Sequence, residues 1–406
     1  MNDHSIIKNK THWIALLPLS IFLFFDFIQL NIMSTLSPVI LKTMPISSYE
    51  LGFISSLFFY VNLVLLFPAG FLLDKYNVKW LVILSIIITV IGILIFAFSP
   101  SIHTAIIWRL LSGFAGAFSY ISCVKLLATH FPRKFLGLLL GLTGIVIMSS
   151  GVVVQYPLLK ILNLVGLSKT LYLDAILGMA TIVLLSIFIN EKPNPVILRK
   201  KNLLVLKKPV NWLIAAYACL TNFPLFVLGA LWGNLYLINT QHFSLTASSI
   251  ITSMIFIGNM IGAPTLGKIS DNKNERKQLM ILSAILMLIV TAIIMTLPPH
   301  QSVSLFITLF FILGFSTGSQ TLAYALIVDV NSRNNTSTAT SMLSFLSVGG
   351  GAIAQPLFGF FIHNTGKIHY QNGMYIMLFA SVLALLFSVI LIKMNRNYNE
   401  LLMFSL

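Results

Sequence analysis

The chain of 406 residues is 57% hydrophobic and only 9% charged, with a mean hydropathy of +0.94. Soluble domains carry roughly a quarter charged residues, so a water-soluble globule is excluded and a polytopic membrane protein is expected. A net charge of +15 would suggest a nucleic-acid partner in a soluble protein, but its placement along the chain argues for membrane topology instead, and no nucleic acid is expected.

Apolar runs of about 20 residues, enough to cross a hydrocarbon core of roughly 30 Å, recur with short polar breaks. They are solid rather than alternating, and backbone groups cannot go unpaired in lipid, so helices are expected and barrel strands are not. Twelve spans are predicted: 13–40, 51–73, 80–98, 104–129, 135–159 and 171–190, then 211–238, 247–270, 279–297, 304–328, 337–363 and 372–393. The first run is too long, and too weakly followed by a cleavage pattern, to be a removable signal peptide, so it counts as a mature span.

The fold class is therefore all-α, with an N-terminal six-helix bundle (13–190), a basic cytoplasmic loop (191–210), a C-terminal bundle (211–393) and a short tail (394–406). With the amino terminus in the cytoplasm, nineteen of the 25 Lys and Arg fall on cytoplasmic segments, six of them (Lys192, Arg199, Lys200, Lys201, Lys207, Lys208) in the central loop. Only Lys42, Lys160, Lys169 and Lys367 lie outside. The positive-inside rule then puts both termini in the cytoplasm of a bacterial-type inner membrane. Cys123 and Cys219 lie in opposite halves and read as packing residues. The histidines fall at span ends or loops, so no metal, cofactor or hydrolase machinery is expected.

The second half repeats the first. At an offset of 197, Ser56, Asn62, Gly70 and Asp74 land on Ser253, Asn259, Gly267 and Asp271; at 201, "GFAG" (113–116) faces "GFSTG" (314–318). At 200, "GVVVQYPL" (151–158) faces "GAIAQPL" (351–357), and at 196 Asp26 faces Asn222. Ordered matches in nearly one frame point to a duplicated six-helix bundle, a recurring transporter plan with its substrate site at the midplane.

The loop after the second span reads G-F-L-L-D-K-Y-N-V-K, from Gly70 through Asp74 to Lys79. The loop after the eighth reads G-K-I-S-D-N-K-N-E-R, from Gly267 through Asp271 to Arg276. Both resemble the signature loop of the major facilitator superfamily, and "RLLSGFAG" (109–116) resembles that family's fourth-span motif. Asn77 and Asn274 replace the motif's second glycine, and Asn tolerates the left-handed backbone a tight turn needs. The resemblance implies twelve spans in two pseudo-symmetric bundles, alternating access, and a conformational latch in the two loops, Asp74 forming the stronger copy and Asp271 the weaker. More loosely, the chain resembles bacterial permeases grouped with sugar-phosphate and nitrate carriers.

An ionisable group at mid-membrane normally faces a wet cavity or a partner. Asp26, inside the first span, reads either as a proton carrier, loading and releasing a proton as its surroundings change, or as half of a fixed ion pair. Arg109 lies about five residues into the fourth span, roughly 8 Å below the surface. The family's fourth-span arginine is associated with proton coupling or substrate binding, which favours a site shared with Asp26 and open to an anionic solute. Lys125, roughly 24 Å further along, is expected to snorkel to the cytoplasmic end. Asp174 is expected to open the sixth span, where the helix dipole favours a carboxylate.

Midplane polar residues are candidates either for solute or for interhelical hydrogen bonds: Gln29, Ser119, Tyr120, Asn222, Gln320, Thr321 and Tyr324. Gln155 and Gln355 lie beside Pro157 and Pro356, which deprive the carbonyls four residues back of their donors and are expected to open both helices locally. The functional reading is a monomeric secondary transporter in the lipid bilayer, driven by protons and taking up a small polar or anionic organic solute. The alternative is proton-driven export of amphipathic compounds such as drugs or a siderophore-like metabolite. A transporter-like membrane sensor is disfavoured, because the thirteen residues after Lys393 leave little room for an output domain.

Overall fold

A computed structural model describes residues 16–131, 133–189, 203–273, 275–332, 335–363 and 369–403. The start of the first expected span at 13–15, the basic cluster at 192–201, Asn274, Lys367, His4 and His12 lie outside these residues. The described residues form helices and no strands, and twelve helical segments among them are long and apolar enough to cross a membrane.

In the amino-terminal unit (Met1–Leu198) the helices are α1 (Leu16–Asn31), α2 (Met33–Thr43), α3 (Ser48–Lys75), α4 (Val78–Phe98), α5 (Ile102–His130), α6 (Arg133–Val154), α7 (Tyr156–Val165) and α8 (Leu167–Phe188). In the carboxy-terminal unit (Arg199–Leu406) a short 3₁₀ turn (Leu203–Lys207) precedes α9 (Pro209–Thr221), a π-helix (Pro224–Trp232), α10 (Gly233–Gln241), α11 (Leu245–Lys273), α12 (Arg276–Thr296), α13 (Val303–Thr317), α14 (Gln320–Asp329), α15 (Thr336–His363) and α16 (Tyr370–Met403). Hydroxyls start several helices. Ser47 Oγ accepts from the Glu50 amide (3.2 Å) while Glu50 accepts from the Ser47 amide (2.7 Å), and Ser101 and Thr104 cap α5 in the same reciprocal way.

Each unit pairs its helices by the same plan. The first span lies against the fifth, the second against the fourth and the third against the sixth; the seventh lies against the eleventh, the eighth against the tenth and the ninth against the twelfth. The repeat in the sequence is thus a repeat of helix pairing.

Spans are interrupted where side chains can serve the freed backbone. The fifth breaks at Gln155 (φ −70°, ψ −100°), and Thr35 Oγ1 donates to the Val154 carbonyl (2.5 Å). Pro356 instead sits inside the continuous α15, so the opening expected at both prolines occurs only at Pro157. The seventh span, expected as one helix, runs through the π-helix, a rare arrangement frequent at functional sites. It is held to α15 by two bonds: Gln355 Nε2 donates to the Phe226 carbonyl (2.7 Å) and Trp232 Nε1 donates to the Gln355 carbonyl (3.0 Å). A loop over 160–170 is expected between the fifth and sixth spans, but α7 and α8 are separated by Gly166 alone, whose φ of 81° only glycine adopts freely.

The GFAG and GFSTG segments mark helix crossings. A Cβ on Gly314 would collide with the Ile255 carbonyl oxygen, and one on Gly258 with that of Phe311, so the eighth and tenth spans meet backbone to backbone. Asn259 Nδ2 donates to Thr317 Oγ1 (2.8 Å) across the same contact. In the amino-terminal unit a Cβ on Gly113 would sit 2.6 Å from Val61 Cβ. Overpacking of this kind costs about 1–3 kcal/mol. Gly314→Val is expected to lower the thermal unfolding midpoint of detergent-purified protein clearly. Gly141→Ala, whose added Cβ meets nothing within 4 Å, should leave it unchanged or raised.

Candidate functional site

Among the described residues of the amino-terminal unit, three charged side chains are buried: Asp26 (2% exposed), Arg109 (0%) and Asp174 (6%). The first span connects them. Ser119 Oγ donates to Asp26 Oδ2 (2.6 Å), joining the first span to the fourth, and Asp26 Oδ1 meets no partner among the described residues. One turn on, Gln29 Nε2 donates to Asp174 Oδ2 (2.7 Å), joining the first span to the sixth. Arg109 Nη1 donates to the Gln29 carbonyl (2.5 Å) and Nη2 to the Ser55 carbonyl (2.9 Å), so the guanidinium ties the fourth span to the first and second. It also lies over the Phe58 ring, 5.1 Å from its centre.

Arg109 and Asp26, expected to share a site, both lie against the first span, but no ion pair joins them; of the two readings of Asp26, the fixed ion pair with Arg109 is not what the structure holds. The guanidinium spends both terminal nitrogens on main-chain carbonyls, and Asp26 takes a hydroxyl. Carbonyls satisfy the hydrogen bonds of a cation without neutralising it, so the charge of Arg109 remains in the bundle. Asp174 is also placed differently from expectation. It is the eighth residue of α8, too deep for the helix amino terminus to account for it, and it is buried against Gln29. The signal in the sequence is Gly166, which starts the sixth span four residues earlier than the hydrophobic run alone suggests.

Gln155 Nε2 donates to Ser34 Oγ (3.1 Å), from fifth span to first, as Gln355 joins eleventh to seventh. Asn222, which faces Asp26 in the repeat, is buried at the junction of α9 with the π-helix, and its Oδ1 meets no partner among the described residues. Gln320 Nε2 donates to Ser347 Oγ (3.1 Å) and the Tyr324 hydroxyl lies 3.0 Å from Ser344 Oγ, both between the tenth and eleventh spans. Tyr120 and Thr321, related by the offset of 201, are the exposed members of the candidate set.

The signature loops are tied within their own units. Lys125 Nζ pairs with Asp74 Oδ1 (3.2 Å) and with the Leu73 carbonyl, so the side chain expected to snorkel ends on the signature loop and anchors it. Lys79 Nζ donates to the Ser186 carbonyl (2.6 Å) near the end of α8, where the helix dipole favours a cation. In the second copy Arg276 pairs with Asp271 (3.1 Å), with Asp329 at the end of α14, and with Ser270 Oγ (3.1 Å). Asn77 does not take the expected left-handed conformation. With φ −64° and ψ 122° it caps α4, its Oδ1 accepting from the Lys79 amide (2.9 Å). Gly70 and Gly267 are not demanded by neighbours, since a Cβ on either would meet nothing within 4 Å.

An all-helical chain of twelve spans, in two units with one pairing plan and charges buried on the first, fourth and sixth spans, is a membrane transporter in class. It belongs to the major facilitator superfamily, whose family model matches residues 19–318 and 214–400. That membership makes it a transporter and not an enzyme. Among curated proteins it is similar to the membrane sensor protein UhpC of Escherichia coli, 24% identical over 350 residues, and to UhpC of Salmonella typhimurium, 23% over 351, each alignment covering 78% of both chains. Among solved structures it resembles a bacterial homologue of the human lysosomal transporter Spinster. The inward-facing, occupied form aligns with a TM-score of 0.73 at 15% identity, covering 94% of this chain and 96% of that one. The unoccupied form aligns at 0.74 and 14%, covering 95% and 98%. These structures establish the fold.

The two bonds of Arg109 leave separate nitrogens for carbonyls on different spans, and a lysine would have to reach both from one nitrogen without the fork that fixes their directions. Arg109→Lys is therefore expected to lose at least one charge-assisted bond, about 1.5–3 kcal/mol, visible as a lower thermal midpoint of purified protein. A midpoint equal to wild type would mean that charge alone suffices.

Proposed function

We propose that the chain is a proton-coupled secondary transporter that takes up a small polar or anionic organic solute, with Asp26 as its proton carrier. The observation that carries this is the partner of Asp26. A hydroxyl can donate to a carboxylate or accept from a carboxylic acid, so Ser119 can serve Asp26 in either protonation state. An arginine partner would serve only the ionised form. A buried group that changes charge without losing its hydrogen bond is suited to loading and unloading protons.

Preference for an anion rests on Arg109, whose charge the carbonyls leave in place, and Tyr120 and Thr321 are the solute contacts best favoured by exposure. The signature loops, with Asp74, Lys79, Asp271 and Arg276, act as the latch of the transport cycle. The protein works as a monomer in a bacterial inner membrane, with both termini in the cytoplasm; relatives from two bacteria support the setting. A second reading follows from the name of those relatives: the chain also reports solute binding to a signalling partner.

Purified protein in liposomes, with an internal pH-sensitive dye and a panel of solutes, tests the first reading. Asp26→Asn should abolish accumulation driven by a pH gradient while keeping part of the solute counterflow, because binding without proton release still permits exchange. Full gradient-driven accumulation in that variant refutes proton coupling through Asp26. Solutes that raise the thermal midpoint without being accumulated would favour the receptor reading.

A further inference from the structure

The buried charges of the amino-terminal unit do not balance. Among the described side chains, Asp26, Asp174 and Arg109 are buried, whereas Lys42, Glu50, Asp74, Lys75, Lys79, Lys125, Lys160 and Lys169 are exposed or half-buried. Arginine stays protonated in proteins. With both carboxyls ionised the interior would carry one net negative charge, and with both protonated one net positive charge. A single proton on the pair makes the interior neutral, the least costly state for a buried site.

The partners permit that proton to reside on either group. Gln29 offers Asp174 an amide, and an amide can present N–H to a carboxylate or, turned over, its carbonyl to a carboxylic acid. Gln29 Oε1 and Asp174 Oδ1 both meet no other partner among the described residues, so nothing there opposes the turned-over arrangement. Ser119 gives Asp26 the same freedom. Gln29 lies one turn from Asp26, and its main-chain carbonyl holds Arg109, so the two carboxyls and the cation are linked through one turn of α1.

Among the described side chains, the other ionisable groups on the elements packed against these two carboxyls, apart from the thiol of Cys123, are bonded elsewhere or lie at the surface; those of His130, Arg133 and Lys134 are outside the described ones. Around α8, Lys79 on α4 is bonded to the Ser186 carbonyl, Lys160 on α7 and Lys169 on α8 itself are exposed, and Tyr156 and Tyr172 are exposed phenols. Around α1, Lys42 on α2 is exposed, and on α5 Lys125 is paired with Asp74, His103 and Tyr120 are exposed and Cys123 is a buried thiol. On α1 itself the charged group is Asp26.

We propose that Asp174 is a second proton-binding site, sharing a single proton with Asp26 so that protonation of one favours ionisation of the other. The proton is taken from water and returned to it, and only O–H bonds form or break. This deepens the proton-coupled reading and rests on it.

Infrared difference spectroscopy of purified protein in lipid, titrated with pH in the absence of solute, reads the C=O stretch of protonated carboxyls directly. Wild type should show two components that titrate together. Asp26→Asn and Asp174→Asn should each leave one component, its midpoint displaced from wild type by about one pH unit or more, and the double variant should lose both. An Asp174 component that stays constant across the titration makes it a fixed structural acid, and undisplaced midpoints in the single variants make the sites independent; either result overturns the proposal. Should Asp174→Asn fail to fold, Gln29→Leu removes the donor and should shift the frequency of the Asp174 component alone. An unshifted frequency there also overturns it. Unchanged transport in Asp26→Asn would refute proton coupling through Asp26, whereas the spectrum decides separately whether Asp174 shares a proton.

Discussion

A guanidinium with no exposed surface, suspended between the carbonyls of Gln29 and Ser55, sets the terms for the amino-terminal unit. Removing a cation from water costs several kcal/mol, and main-chain oxygens recover only part of that. The remainder falls on whatever negative charge the neighbourhood can offer. Two carboxyls are close to the same turn of the first span, and neither is consumed by a direct ion pair with the arginine. The first span must therefore hold its position between the fourth and sixth for the electrostatics to work, and its bonds to both neighbours do that. The carboxy-terminal counterpart lacks this constraint. Asn222 stands where Asp26 does in the repeat, and the backbone there adopts a π-helix tied down by Gln355 and Trp232. The duplication kept the pairing of helices, while the buried Asp26 and the π-helix fall in different copies.

The spans, the repeat and the oddity of Asp26 are legible in the sequence because each depends on one-dimensional information: run length, spacing, and a carboxyl among apolar residues. Partners are not. Asp26 and Gln29 are three residues apart and should share a helix face, yet one reaches the fourth span and the other the sixth. Which neighbours flank a helix is decided by packing order, and no local pattern encodes it. Asp174 differs from its expected place for a related reason. Its depth follows from where the sixth span begins, and that depends on one glycine being a helix junction rather than part of a loop.

The signature loops show how a motif can keep its letters while changing its wiring. In the first copy an aspartate of the motif meets a lysine on the fourth span; in the second an arginine of the motif meets an aspartate on the tenth. Both fasten the motif to the equivalent span of their unit, with opposite polarity. Asn77 makes a similar point. Expected as a tolerated replacement for a turn glycine, it instead supplies a cap, a function glycine could not perform with a side chain.

The junction at Gly166 also bears on how the protein can be built and handled. Two membrane-crossing helices joined by one residue behave as a rigid staple: neither can be lengthened, shifted in depth or rotated without carrying the other. An epitope tag or protease site has no slack chain there to occupy, and any side chain at that residue would have to enter a backbone region that L-amino acids rarely adopt. The fifth and sixth spans should accordingly enter the bilayer as one hairpin, so that the depth of Gln155 and the depth of Asp174 are inherited together.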